Sequence, residues 1–199
     1  MQVELIHPPH PNATEDSLDV PMGLLYIAAN LKKNGVDVRI NDLSGLKEKD
    51  WKIGCADIYG MTVYATSLGT ADKIYEMCKK INKDSKVIVG GAHPTADPID
   101  MMERFDSVIV GEGELAILDL VNDFPNIKKF YSKPLGKNLD EYPTPAYELV
   151  DVSRYKREID GEKSLTMLTS RGCPFRCTFC ALPKEHLVIK TRSPEKVAE

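Results

Sequence analysis

No stretch of this 199-residue chain approaches the roughly 18 consecutive apolar residues of a membrane-spanning helix. The opening residues, MQVELIHPPH, lack a basic segment followed by an apolar one. No secretory leader is therefore expected, and the cytoplasm is the default location. Strong charge of one sign is also missing. The net charge of −4 gives no electrostatic case for nucleic acid or for an anionic membrane as partner. There is no internal repeat and no low-complexity segment. Cysteine is scarce and odd in number: five residues, not the paired framework of a small secreted domain. Reduced thiols free to bind metal are the better expectation.

What is present is an ordinary globular balance, 42% hydrophobic and 28% charged, in a length that suits one domain plus a piece of another. Two periodicities alternate over the first 125 residues. VELI (3–6) reads as a strand, and PMGLLYIAANLKKNG (21–35) as a helix with Leu24, Ile27, Ala28 and Leu31 on one face. Pro21 suits its first turn and Gly35 its C-terminal cap. VDVRIND (36–42) and ADIYGMTV (56–63) read as strands. GTADKIYEMCKKINK (69–83) reads as a helix with Ile74, Met77, Cys78 and Ile81 inward. KVIVGG (86–91), a short helix at 98–105, DSVIVGEGE (106–114) and a helix at 114–124 follow. Nearly continuous apolar strands alternating with helices predict an α/β, Rossmann-like doubly wound parallel sheet of about five strands.

In such a sheet, ligands bind beyond the carboxyl ends of the strands. The segments that follow the strands are polar and glycine-rich: HPPHPNATEDSLDV, YATSLGT, GGAHPTADP and GEGE. Gly90 and Gly91, and then Gly111 and Gly113, would let a bulky ligand approach the backbone closely. Thr62, Tyr64, Thr66 and Ser67 offer hydroxyls to a ligand's amides and phosphate. Each has a plainer reading. An isolated Gly-Gly is a tight turn, His93 bonds locally, and Glu112 and Glu114 suit a helix N-terminus. Cys55 and Cys78 read as thiols without chemistry, and Lys79, Lys80, Lys83 and Lys86 as a solvated face.

Residues 132–163, with Pro134, Pro143 and Pro145 and little periodicity, read as an ordered linker between a domain at 1–131 and a further piece at 164–199. In that piece, SLTMLTS (164–170) reads as a strand, and Ser193-Pro194 as the N-cap and first turn of a helix. Between them, RGCPFRCTFC places Cys173, Cys177 and Cys180 in a C-x3-C-x2-C spacing. Three thiols are one short of a closed tetrahedral zinc site, although His186 is a candidate fourth ligand. Three buried inert cysteines fit poorly with the turn-forming Gly172 and Pro174. An iron–sulfur cubane held by three thiolates keeps one iron open to a small molecule. Arg171 and Arg176 flank the loop, either to neutralise a cluster or to anchor the loop.

The C-x3-C-x-aromatic-C pattern, with Phe179 just before Cys180, resembles the signature of the radical SAM superfamily. The resemblance implies that Cys173, Cys177 and Cys180 ligate a 4Fe-4S cluster and that Phe179 lies near the adenine of S-adenosyl-L-methionine. It implies that the open iron chelates that cofactor and that electron transfer then releases a 5′-deoxyadenosyl radical. HPPHPN…DVPMGLLYIAANLKKNG, VIVGGAHPTADP and VIVGEGE, in that order, resemble the cobalamin-binding domain fused ahead of such barrels. This second resemblance implies cobalamin over the carboxyl edge of the sheet, with its nucleotide tail beside the sheet. The D-x-H-x-x-G motif of better-known cobalamin domains is absent, which leaves the lower cobalt face unassigned.

Residues 164–199 suffice for about one βα unit of a barrel that takes roughly 250 residues when complete. The expectation is therefore the front portion of a cobalamin-dependent radical SAM enzyme performing methyl transfer to an unreactive centre. A separate chain or a further segment would complete the barrel. A cobalamin carrier or sensor without catalysis, and a zinc-binding interaction protein, are the alternatives.

Overall fold

The structure is a computed structural model that describes residues 1–134, 136, 138–180 and 188–198. The elements run in chain order as β1 (Gln2–His7), α1 (Met22–Lys33), β2 (Asp37–Asp42), β3 (Ile58–Thr62), α2 (Leu68–Ile81), β4 (Lys86–Gly90), α3 (Ala92–Ala96), α4 (Pro98–Arg104), β5 (Ser107–Val110), α5 (Gly113–Asp123) and β6 (Phe130–Ser132). The six strands form one sheet in the order β2-β1-β3-β4-β5-β6, and every pairing is parallel. The alternating pattern therefore built the expected doubly wound α/β sheet, with one strand more than anticipated at its far edge. The order in which strands are added to the sheet reverses between β1 and β3, so the loops after these two strands part there and open a crevice.

Alternate residues of each strand feed two cores. Val3, Leu5, Ile58, Ile88 and Ile109 pack with Leu24, Ala28 and Leu31 of α1 and Ile117 and Leu120 of α5. Ile6, Tyr59, Met61, Val87, Val89 and Val108 pack on the other face with Ala71, Ile74 and Cys78 of α2 and Met101 of α4. Both faces are covered, which is why the strands read as continuous apolar runs. Helix α1 stops by a Schellman motif. The Gly35 N–H donates to Lys32 C=O (3.0 Å), the Val36 N–H donates to Leu31 C=O (3.1 Å), and Gly35 takes the left-handed φ of 76° that the motif requires. Pro21 stands one position before the first helical residue, and Ile81, at the last residue of α2, is exposed.

Burial pushes the Cys78 thiol up to about 12. It is fully buried and remains a neutral thiol at any working pH. A maleimide at neutral pH is expected to label the exposed Cys55 and to spare Cys78 until denaturant is added, as read by peptide mass spectrometry.

The segment after β6 does not hang free. Ala146 is buried in the core beneath α1, and its N–H donates to Leu25 C=O (3.2 Å). Tyr155 joins Val20 and Leu25 in a third small core, and its hydroxyl donates to Asp42 Oδ2 (2.5 Å). A two-residue hairpin, β7 (Glu158–Ile159) with β8 (Glu162–Lys163), follows. The strand expected over 164–170 is reduced to β9 (Ser170–Arg171), paired antiparallel with β10 (Lys190–Thr191). A strand exists only where a neighbour completes its ladder. The Ser164 N–H still donates to Arg157 C=O (3.0 Å) and the Arg192 N–H to Thr169 C=O (2.8 Å), but among the described residues 165–168 have no backbone ladder partner. The last element, α6 (Pro194–Ala198), is capped as anticipated: Ser193 Oγ accepts from the Lys196 N–H (3.3 Å). Among the described residues, no helix is long and apolar enough to cross a membrane.

Candidate functional site

A cavity of about 310 Å³ lies under the carboxyl ends of the strands, between the sheet and helices α1 and α5. Its floor is apolar, built from Leu5, Ile88 and Ile109 of the sheet, Leu24 and Ile27 of α1 and Ile117 of α5. Glycine shapes the space. A Cβ on Gly60 would stand 2.8 Å from Leu5 Cδ2, and one on Gly113 would stand 2.8 Å from Ile27 Cδ1. At Gly91 the backbone has φ 99°, a region that favours glycine, and a Cβ there would meet Thr62 Oγ1 at 2.8 Å. Gly23, the second residue of α1, also lines the cavity, and a Cβ there meets nothing within 4 Å.

A second, polar space of about 420 Å³ adjoins the first at the switch point between β1 and β3 and shares Gly23, Leu24 and Thr62 with it. Its wall is the β1–α1 loop, and a set of charged contacts holds that loop. Asp16 accepts from the His10 N–H (3.0 Å) and the Gly45 N–H (2.9 Å). Glu15 pairs with Lys156 (2.8 Å). Asp19 takes both arms of the Arg157 guanidinium, which holds its carboxyl below the usual range, and also accepts from Thr166 Oγ1 (2.5 Å). The carboxylates of this loop are therefore spent on shaping it.

His7, His10 and Tyr64 line the same space as a chain of rings, with centroids 5.7 Å and 5.0 Å apart. The buried Nδ1 of His7 has no hydrogen-bond partner in the structure. Burial lowers the His7 pKa from 6.5, against the opposing pull of Asp42 and Asp16 and with the help of His10. The folded state therefore holds His7 neutral, whereas the unfolded chain takes up its proton near pH 6.5. This contribution to stability is complete above pH 6.5 and is lost as pH falls through the lower folded value. Chemical denaturation at about pH 7.5 and about pH 5.5 is expected to show a loss to which His7 contributes at most ~1.4 kcal/mol per pH unit. The His7→Asn variant is expected to flatten that loss.

The structure brings Thr62, Gly90, Gly91, Gly111 and Gly113 to the apolar cavity and Tyr64 to the polar one. It does not bring Ser67 to either. Ser67 is fully buried, and its Oγ accepts from the Tyr64 N–H (3.1 Å) and donates to Tyr64 C=O (3.2 Å), so its hydroxyl closes a local turn. Thr66 lines neither space and lies 3.5 Å from His10 Nδ1. Sequence reasoning missed Gly23, Ile27 and Ile117. The one available signal was Gly23, because a glycine inside a helix costs stability without a packing or ligand reason.

Arg171 lines the apolar cavity from the cysteine side. It pairs with Glu112 (2.6 Å) and Glu114 (2.5 Å), and its guanidinium carbon lies 4.9 Å from the centroid of the Tyr26 ring. Burial alone would lower its pKa, but the two carboxylates override that and raise it. Of the two readings open for Arg171, anchoring is what the contacts support. Cys173 is half-buried, Cys177 and Cys180 are exposed, and all three thiols are free. The Cys180 N–H donates to Cys177 C=O (3.0 Å), so these two share a turn. Phe179 is 90% exposed. Among the described residues, no three His, Cys, Asp or Glu side chains converge on a metal-sized site, and His186 lies outside the described residues.

An open sheet of order 2-1-3-4-5-6 with an apolar slot beside it and a polar crevice at its switch point defines a class: the doubly wound α/β domain whose ligand site lies at the carboxyl edge of its strands. Residues 18–121 match the B12 binding domain family, just over half of the chain, and the chain belongs to that family. It is 31% identical to an uncharacterised methyltransferase of Pyrococcus horikoshii over 91% of this chain and 45% of that protein. It is 27% identical to the anaerobic magnesium-protoporphyrin IX monomethyl ester cyclase of Rubrivivax gelatinosus over 96% of this chain and 40% of that protein. The chain thus spans less than half the length of these relatives. Among solved structures, the cobalamin-dependent S-adenosylmethionine radical enzyme OxsB with aqua-cobalamin bound superposes with a TM-score of 0.73 at 20% identity, over 98% of this chain and 30% of that one. The radical S-adenosylmethionine methyltransferase TsrM from Kitasatospora setae, with cobalamin and a 4Fe-4S cluster bound, gives 0.66 at 19% identity, over 99% and 45%. The fold is that of the corresponding part of these enzymes.

Proposed function

We propose that this chain is the cofactor-holding portion of a cobalamin-dependent radical SAM methyltransferase acting in the cytoplasm. The observation that carries the reading is the apolar slot with glycine walls, opening at the carboxyl edge of the sheet inside the segment that matches the B12 binding domain family. The residues fit the group. Leu24, Ile27 and Ile117 would enclose the nucleotide tail, and Gly90, Gly91, Gly111 and Gly113 would let it pass the strand ends. Thr62 and Tyr64 would offer hydroxyls to the amides of the corrin rim.

Cys173, Cys177 and Cys180 would hold a 4Fe-4S cluster, and Phe179 would cover the adenine of S-adenosyl-L-methionine. The donor set has the right chemistry, since three thiolates in one loop leave a position open for a small molecule. When bound, cobalamin supplies a transferable methyl group and the cluster an electron for cleaving S-adenosyl-L-methionine. The chain's own part is placement. It seats one cofactor in a water-poor slot, and it presents the thiols on a segment tied to that slot by Arg171. The rest of the barrel and the acceptor lie beyond these residues. The three thiols do not converge in the structure, and this observation favours the second reading, a cobalamin carrier without a cluster.

Anaerobic chain mixed with methylcobalamin under red light, supplied with iron and sulfide and then desalted, tests both readings. The expected result is about one cobalamin and about four iron atoms per chain. Retained cobalamin without iron selects the carrier, stoichiometric zinc without iron the interaction protein, and loss of cobalamin overturns the cofactor assignment.

A further inference from the structure

The cysteine segment and the cavity share more than a boundary. Strand β9 leads into the cysteine loop and β10 follows it, and both ends rest on one side chain of α1. The guanidinium of Arg171, at the end of β9, lies 4.9 Å from the Tyr26 ring centroid, and that of Arg192, just after β10, lies 5.3 Å away. Arg192 is fixed in turn by bonds to Tyr142 C=O (3.3 Å) and Pro143 C=O (3.1 Å). Arg171 bridges Glu112 and Glu114, the two carboxylates that flank Gly113 at the mouth of the cavity. Leu168 and Arg171 themselves form part of the cavity wall. Gly172, at φ 98°, then turns the chain directly into Cys173.

We propose that Arg171 is a positioning residue that couples occupancy of the apolar cavity to the geometry of the cysteine loop. The inference rests on the reading of the cavity as the cobalamin site. A ligand that fills the slot touches Arg171 and Leu168 from below and fixes Glu112 and Glu114 at the rim. The guanidinium is then held on every side, and with it the first residue of the turn that carries Cys173. Linkage makes the effect reciprocal: a loop organised by its own ligand tightens the cavity mouth. A bidentate fork suits this role better than an ammonium, because it fixes orientation as well as charge.

The test is the rate of N-ethylmaleimide labelling at Cys173, resolved by peptide mass spectrometry, with and without saturating methylcobalamin in the dark. In the wild-type chain, cobalamin is expected to slow Cys173 labelling at least about fivefold, the low end of ordinary coupling between sites. Cys55, exposed and distant in sequence, serves as the unaffected control. Arg171→Met, brought to saturation at whatever cobalamin concentration its own titration requires, is expected to bring the ratio of the two rates to about one, and Arg171→Lys to restore part of it. A merely structural residue would change both rates and leave their ratio alone. Because Arg171→Met takes the guanidinium away from Glu112 and Glu114, the Glu112→Gln/Glu114→Gln/Arg171→Met triple variant removes both of these ion pairs together and must show the same loss of ratio. Wild-type chain that binds cobalamin with no change at Cys173 overturns the coupling and leaves the cofactor assignment standing. A triple variant that keeps the full ratio does the same. Failure of the wild-type chain to bind cobalamin overturns both.

Discussion

Gly23→Phe is expected to weaken cobalamin binding at least about 100-fold, a loss of ~2.7 kcal/mol, while leaving the fold as stable as before. The two halves of this expectation rest on different observations. Stability is spared because Gly23 sits in α1 with no left-handed φ, and a Cβ there meets nothing within 4 Å. The substitution also replaces the poorest non-proline helix former with a better one, a gain of a few tenths of a kcal/mol. Binding is lost because Gly23 lines both the apolar slot and the polar crevice, so a phenyl ring occupies the passage that a tail-bearing cofactor must thread. Gly60→Ala and Gly113→Ala make the contrast. There the new methyl stands 2.8 Å from Leu5 Cδ2 or Ile27 Cδ1, the free ends of side chains that border the slot, so the shift that admits it moves a slot wall and couples any change in stability to a loss of binding. Spectroscopic titration with methylcobalamin and a thermal melt separate the two terms. A Gly23→Phe chain that melts normally and binds as tightly as wild type would remove the slot from the cofactor site.

The contrast between these glycines also marks how far the sequence could be read. The β1 to β5 alternation was legible because doubly covered strands are continuous apolar runs and the helices between them carry a 3.6-residue period. β6 was not, because Phe130–Ser132 is three residues at an edge with only Tyr131 buried. Helix α3 was hidden behind Pro94, which is tolerated because it falls in the first turn. The apolar residues of 164–170 read as a strand, but such a run does not supply its own ladder partner. At the site, the strand-end glycines were visible because glycine has a conformational meaning of its own. Leu24, Ile27 and Ile117 were not, because a residue lining a slot and a residue filling a core look alike along one chain. Whether two packed layers leave space between them depends on contacts across the sheet. The same limit hid the role of Arg171, whose partners lie 59 and 57 positions away in sequence.

Replacing Cys173, Cys177 and Cys180 together by alanine is expected to abolish iron loading and leave cobalamin binding within about twofold of wild type, a change too small to be worth half a kcal/mol. Iron should fall from about four atoms per chain to background, because a cubane needs thiolate ligands and no other described cysteine is placed to substitute. Cys78 is buried on the inner face of α2, and Cys55 lies in the segment before β3. The fold should survive. Cys177 and Cys180 are exposed and Cys173 is half-buried, so the three methyl groups left behind open no cavity in either core. Cobalamin binding should survive because, among the described residues, the slot draws on the cysteine side only through Leu168 and Arg171, which the variant retains. The single Cys→Ala variants distinguish a cluster from a simple metal site. Each removes one of three protein ligands from a cubane and should lower iron and sulfide together, whereas a mononuclear site loses its metal with no sulfide in the balance. Iron and acid-labile sulfide measured on the same sample therefore decide the matter. A triple variant that still binds four irons and four sulfides would place the cluster, and with it the radical chemistry, somewhere other than this loop.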